Sequence, residues 1–199
     1  MSFSQNVNYK DKLQQQIIRF QSINKLDDFV KCANGFEKIA NSEKKDWLAF
    51  YYAGLCNVLV AFKKTNSEID LWCDKAETFA RQADSLSKHN SEIMVLKSMI
   101  SAARIQVNKA QRGQKYGTLA SKYAMEAIKL NDANPRAYYV KAQALLYTPP
   151  VFGGGEKKAK PVFELVIEKV KTFKPESNIH PNWGKVEAES ELKALSSKK

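Results

Sequence analysis

The side chains able to do chemistry are few and scattered. His89 and His180 are the two histidines, and neither sits in a cluster with metal-ligand spacing. His89 falls at the end of a helical pattern, where an imidazolium suits the negative helix terminus. Cys32, Cys56 and Cys73 occur singly, without a CxxC or CxxH pair, and each lies within an apolar helical pattern. They read as three buried thiols, and an odd number cannot form a complete disulfide framework. No serine or cysteine occupies a nucleophile motif. The run Gly153-Gly154-Gly155-Glu156-Lys157-Lys158 opens a helix and could cradle phosphate with its amides. No Gly-Lys-Ser/Thr follows it, however, and Glu156 repels anions. It reads instead as a flexible turn with Phe152 tucked against the helices. The chain is therefore expected to be non-enzymatic, with no cofactor and no bound metal.

Charge carries more information. The formal net charge is +11, and it is uneven. Residues 104–141 hold eight basic side chains against Glu126 and Asp132. Arg104, Lys109, Arg112, Lys115 and Lys122 form the expected basic patch. Tyr116, Tyr123, Tyr138 and Tyr139 interleave with this basic region. Basic and aromatic side chains together suit an acidic peptide or a single nucleic-acid strand. A solvated lysine-rich face is the competing reading, and nucleic acid is the weaker of the two partners.

Something must position these residues, and the sequence points to helices. Apolar residues make up 44% and charged residues 27%, the balance of a folded chain. Glycine and proline are sparse outside 149–155. Two apolar tracks repeat with a step of 44 residues. Phe50-Tyr51 with Gly54-Leu55 matches Met94-Val95 with Ser98-Met99, then Tyr138-Tyr139 with Ala142-Gln143. Cys32, Phe36 and Ile39 match Ala76, Ala80 and Ala83, then Ala120, Ala124 and Ala127. Ala159, Phe163 and Val166 follow 39 residues later. The spacing i, i+4, i+7 is one face of a helix, so each period holds two amphipathic helices. Helices are predicted at 6–22, 25–40, 46–63, 67–87, 91–108, 113–131, 135–147 and 156–173, with a last one at 183–195. Asn66-Ser67, Asn90-Ser91 and Asn134-Pro135 read as helix starts. The fold class is all-α, a superhelix of about four antiparallel helix pairs.

At Phe50–Gly54, Tyr138–Ala142, Ala159–Phe163–Val166 and Pro135 the chain resembles the tetratricopeptide repeat (TPR) family. The stretches Asn134–Ala142, Tyr147–Gly155 and Pro181–Gly184 resemble exported bacterial members of it. The 44-residue period exceeds the usual period of about 34 and is nearer the HEAT range. The expected organisation is a tail or signal remnant at 1–5 and a repeat domain at 6–174. A linker and capping helix follow at 175–195, then a disordered tail at 196–199. Trp183, Val186, Leu192 and Leu195 would cap the last repeat.

The resemblance implies a concave groove lined by the first helix of each pair. Its candidate contacts are Tyr51, Leu55 and Val58, then Val95, Met99 and Ala102, then Arg136, Tyr139, Gln143 and Tyr147. The implied function is a protein–protein adaptor taking a peptide or protein partner, acidic if the basic patch takes part. Alternatives are nucleic-acid or acidic-ligand binding through 104–141, or a self-associating accessory subunit. No apolar run reaches the ~20 residues of a membrane-spanning helix. Ser2-Phe3-Ser4 matches the small-x-small end of a secretory signal. A periplasmic or secreted location is expected, with the cytoplasm as the alternative.

Overall fold

A computed structural model describes residues 2–23 and 25–197, with side chains from Tyr9 onward. Among the described residues there is no β-strand. The helices are α1 (Ser2–Ser22), α2 (Leu26–Ser42), α3 (Trp47–Ala61), α4 (Glu68–Leu86) and α5 (Ser91–Ile105). They continue with α6 (Lys109–Leu130), α7 (Pro135–Tyr147), α8 (Glu156–Thr172) and α9 (Lys185–Ser196). A single 3₁₀ turn, Pro150–Phe152, joins α7 to α8. Helices adjacent in sequence pack on one another, and α3, α5 and α7 also touch in succession. This is the all-α array of helix pairs that the periodicity predicts.

Side-chain caps start most of the inner helices. Asp46 accepts from the Leu48 amide at 2.9 Å, and Asn90 from that of Glu92 at 2.9 Å. Asn108 accepts from Gln111 N at 3.1 Å, and Asn134 from Arg136 N at 3.0 Å, just before Pro135 at the first helical position. Each cap satisfies an amide the helix itself leaves unpaired. Asn66-Ser67 departs from expectation. Asn66 has φ 53°, and Ser67 makes no side-chain cap bond. The helix predicted at 113–131 starts four residues earlier, because Asn108 caps α6. The extra length of the period lies largely in the second helices, α4 and α6, of 19 and 22 residues. Residues 2–5, expected as a tail, belong to α1, and residues 198–199 lie outside the described set.

Packing follows the two repeated tracks. Ala76, Ala80 and Ala83 on α4, Ala120, Ala124 and Ala127 on α6, and Ala159, Phe163 and Val166 on α8 are all buried. Helix α3 is the hub, with every residue except Trp47 and Leu59 buried. Such a helix shows no polar stripe, as expected of one surrounded on all sides. Gly54 permits a close approach of α3 to α4 and α5. A β-carbon there would stand 2.8 Å from Leu96 Cδ2 and 3.3 Å from the Ala76 carbonyl oxygen. Gly54→Val should thus force α3 away from α4 and α5, lowering stability by about 1–3 kcal/mol. Urea unfolding followed by circular dichroism measures it.

Candidate functional site

The first helices of the pairs, α3, α5 and α7, touch in succession, but the chain covers part of that row itself. The segment Phe173–Gly184, between α8 and α9, packs on α3 and α7 as a strap. Trp183 Nε1 donates to the Tyr51 hydroxyl at 2.9 Å, joining positions far apart in sequence. The Trp183 ring meets Tyr139 edge-to-face at 5.8 Å. Ile179 and Pro181 are buried, and His180 sets its ring against Trp47 at 5.9 Å. Burial drives the Tyr51 phenol well above its usual range, and the nearby Glu92 carboxylate adds to that. Tyr51 is consequently a neutral hydrogen-bonding group.

Arg136 fastens the strap. It is the largest fully buried side chain, 1% exposed. Its Nε donates to both Glu92 carboxylate oxygens at 2.9 and 2.8 Å, and Nη2 donates to Oε1 at 2.6 Å. Nη1 donates to the Trp183 carbonyl at 3.3 Å, and the Phe173 ring covers the guanidinium at 4.5 Å. Burial alone would depress this guanidinium, but the Glu92 carboxylate holds it above its ordinary value. Asn134 supports the arrangement, since its Nδ2 donates to Ser91 Oγ at 2.9 Å while its oxygen caps Arg136.

These contacts define where the groove candidates stand. Tyr51, Leu55, Val58, Val95, Met99 and Arg136 are all buried. Ala102 and Tyr139 are half-buried. Gln143 donates to the Tyr139 hydroxyl at 3.0 Å and to Glu191 of α9 at 2.8 Å. The inner ends of these helices are thus in contact with the chain itself. Tyr147 differs, being 75% exposed at the end of α7. Trp183 is seated between Tyr51 of α3 and Tyr139 of α7 and precedes α9. Val186 is 72% exposed, and Leu192 and Leu195 pack on the core of α7 and α8.

The basic patch is partly neutralised. Arg104 contacts Asp70, Asp74 and Glu77 at 3.1, 2.6 and 2.8 Å. Arg112 donates to both Asp70 oxygens at 2.8 and 2.9 Å. The hydrogen bond from Arg112 leads in holding Asp70 below the usual carboxylate range. All three acids sit on α4, outside the stretch whose charge looked unbalanced. Lys115 lies over the Tyr116 ring at 5.3 Å. Lys109 and Lys122 are exposed.

A different surface presents itself to solvent. Tyr147, Val151 and Phe152 are 75%, 82% and 78% exposed, within six residues of one another. Phe152 is therefore not tucked against the helices as expected, and the turn that carries it is well braced. Phe152 N donates to the Pro149 carbonyl at 2.9 Å, Gly153 N to that of Pro150 at 2.9 Å, and Gly155 N to that of Leu145 at 2.8 Å. Gly153 and Gly155 take φ 89° and 97°, which a side chain would oppose. A β-carbon on Gly154 would strike the backbone of Thr148 and Leu145. The result is a rigid apolar knuckle rather than a floppy loop. Lys157, Lys158 and Lys160 are exposed beside it. The Lys158 ammonium lies 3.8 Å from where a β-carbon on Gly153 would stand. An exposed apolar turn with an ammonium group beside it suits an apolar ligand that carries an acidic group.

No family model matches the chain, and no curated protein matches it. Among solved structures it is similar to the HusA haemophore from Porphyromonas gingivalis. The two share 35% identity and a TM-score of 0.86, over 96% of this chain and 94% of that one.

Strap docking should depend on the buried ion pair. Arg136→Ala strands Glu92 and should cost about 3–5 kcal/mol, with a red shift of tryptophan emission as Trp183 is released. Arg136→Met combined with Glu92→Gln should recover part of that loss. Urea titration read by fluorescence compares them.

Proposed function

The chain belongs to the family of the HusA haemophore, and from that premise we propose that it is a non-enzymatic haem carrier. The similarity to a haemophore along almost the whole chain carries this reading. Haem is flat and largely apolar, with two propionates on one edge. The knuckle offers matching chemistry. Phe152 and Tyr147 supply aromatic surface, and Val151 extends it. Lys157 and Lys158 can pair with the propionates. Tyr147 also has the side-chain type that ligates ferric iron in some haem proteins. The net charge of +11 draws an anionic ligand in the same direction. A carrier of this kind works outside the cytoplasm, so we place the chain in the periplasm or among secreted proteins.

A peptide adaptor working through the concave face is the second reading. The strap already packs on α3 and α7. A peptide partner would have to displace Trp183 from Tyr51 and Arg136 to reach it.

Haem titration followed at the Soret band tests the carrier. The wild type should bind one haem. Phe152→Ala with Val151→Ala should weaken binding at least about tenfold, the equivalent of roughly 1.4 kcal/mol. Both residues are exposed, so the melting temperature should hold within about 2 °C. A wild type that does not bind haem refutes the carrier. A double variant that binds as tightly as wild type removes the site from the knuckle.

A further inference from the structure

Helix packing leaves one interior polar atom unmatched on α3. Asn57 is fully buried, at 0% exposure. Its Nδ2 donates to Glu37 Oε1 of α2 at 2.9 Å and to the Ala53 carbonyl at 2.8 Å. Its Oδ1 is also buried and has no hydrogen-bond partner among the described residues. A buried carbonyl oxygen without a donor costs free energy that an apolar side chain would avoid. The repeat shows that the fold does not require this amide. One and two steps of 44 residues after Asn57 stand Ser101, whose hydroxyl donates to the Lys97 carbonyl, and Leu145. The same steps from Glu37 lead to Arg81 and Met125. Neither later pair repeats the amide with its carboxylate.

Glu37 is also a wall of a cleft of about 370 Å³, with Asp74, Lys75, Thr78 and Phe79 of α4 opposite. Gly54, one turn before Asn57, marks the face of α3 between those walls. A β-carbon there would stand 3.3 Å from the Ala76 carbonyl oxygen and 3.6 Å from Phe79 Cβ. Because Nδ2 of Asn57 is directed to α2, its Oδ1 is directed away from α2, to the α4 side. The walls are rich in acceptors. Asp74 Oδ1 accepts from Arg104 at 2.6 Å, and the Thr78 hydroxyl donates to the Asp74 carbonyl at 2.9 Å, which leaves the Thr78 oxygen as an acceptor. Lys75 sets its ammonium over the Trp72 ring at 4.8 Å. Phe79 adds an aromatic surface and lies 6.5 Å from the Phe50 ring.

We propose that this cleft binds a small primary amine in its ammonium form, with an apolar body laid on Phe79. Glu37 carries the counter-charge. It is half-buried, so the amine enters beside it from solvent. Glu37 and Asn57 Oδ1 flank the same amide, and one ammonium nitrogen with three donors reaches both. The bound amine thereby supplies the donor that the fold does not give Asn57. The Phe79 ring attracts the cation over its face. A cleft of this size is at the small end of ligand pockets and suits a compact amine. The net charge of +11 repels a cation at a distance, so the amine is held by contact with Glu37 rather than steered by the field of the whole protein. The site lies on α2, α3 and α4, apart from the α7–α8 turn, and does not rest on haem carriage.

The test titrates the isotope-labelled full chain with phenethylamine hydrochloride at neutral pH, where the amine is protonated, and follows it by NMR. The side-chain amide of Asn57 and the backbone amides of Glu37 and Thr78 should shift and saturate. Glu37→Gln keeps an oxygen for the Asn57 amide and removes only the charge. It should weaken binding at least about tenfold, with the melting temperature held within about 2 °C. Phenethyl alcohol, which has the same body and no charge, should leave Asn57 unmoved. Shifts that are absent or never saturate overturn the proposal. So does a Glu37→Gln variant that binds as tightly as wild type, or an alcohol that binds as tightly as the amine. Haem takes no part in the measurement, so the carrier reading stands or falls separately.

Discussion

A buried guanidinium must find its counter-charge and its hydrogen-bond acceptors within the protein, and Arg136 organises the packing of α5, α7 and the strap on those terms. Desolvation opposes the charge, and only close pairing with Glu92 offsets it. The remaining donor turns to the Trp183 carbonyl, and Phe173 shields the flat face. One side chain on α7 thereby fixes α5, the start of the strap and its end. Placing the Trp183 carbonyl and the Phe173 ring around the paired cation also favours one position of the strap, because other positions leave the Nη1 donor without its acceptor.

Closing that face changes what the array can offer a ligand. Helix-pair solenoids expose a continuous inner surface, and here part of it is filled by Ile179, Pro181 and Trp183. In the proposed carrier the recognition surface is the α7–α8 turn. Its apolar side chains face water at a cost that packing does not repay, yet glycine geometry and backbone hydrogen bonds hold them in place. Rigid, exposed aromatic surface lowers the ordering cost of binding. The flanking lysines add the charge that the 104–141 stretch supplies less freely, since Arg104 and Arg112 are occupied by acids of α4.

The helices were legible because burial in this fold obeys a single period. Each predicted helix exists, with ends displaced by a few residues where caps decide, as Asn108 does for α6. Tyr147 was identified as a contact candidate and is exposed. The rest of the site was hidden for definite reasons. Phe173 and Trp183 were read as the end of one helix and the start of the next, with Trp183 as a cap of the last repeat, and nothing in their spacing pointed to Tyr51, Tyr139 or Arg136. Ile179 stood only as an apolar side chain in a proline-containing linker. The direction of Phe152 depends on a 3₁₀ turn and two left-handed glycines, and composition does not encode it. Charge summed along the chain likewise missed ion pairs formed between α4 and α5 or α6.

In the proposed carrier the ligand meets the knuckle while the strap stays docked. Backbone amide shifts followed by NMR during titration with zinc protoporphyrin, a diamagnetic stand-in for haem, separate the two faces. Changes should concentrate at 145–160, with Tyr51, Val95 and Trp183 unmoved. Large shifts at Tyr51, Val95 and Trp183, with residues 145–160 unchanged, would place the ligand on the concave face and contradict it.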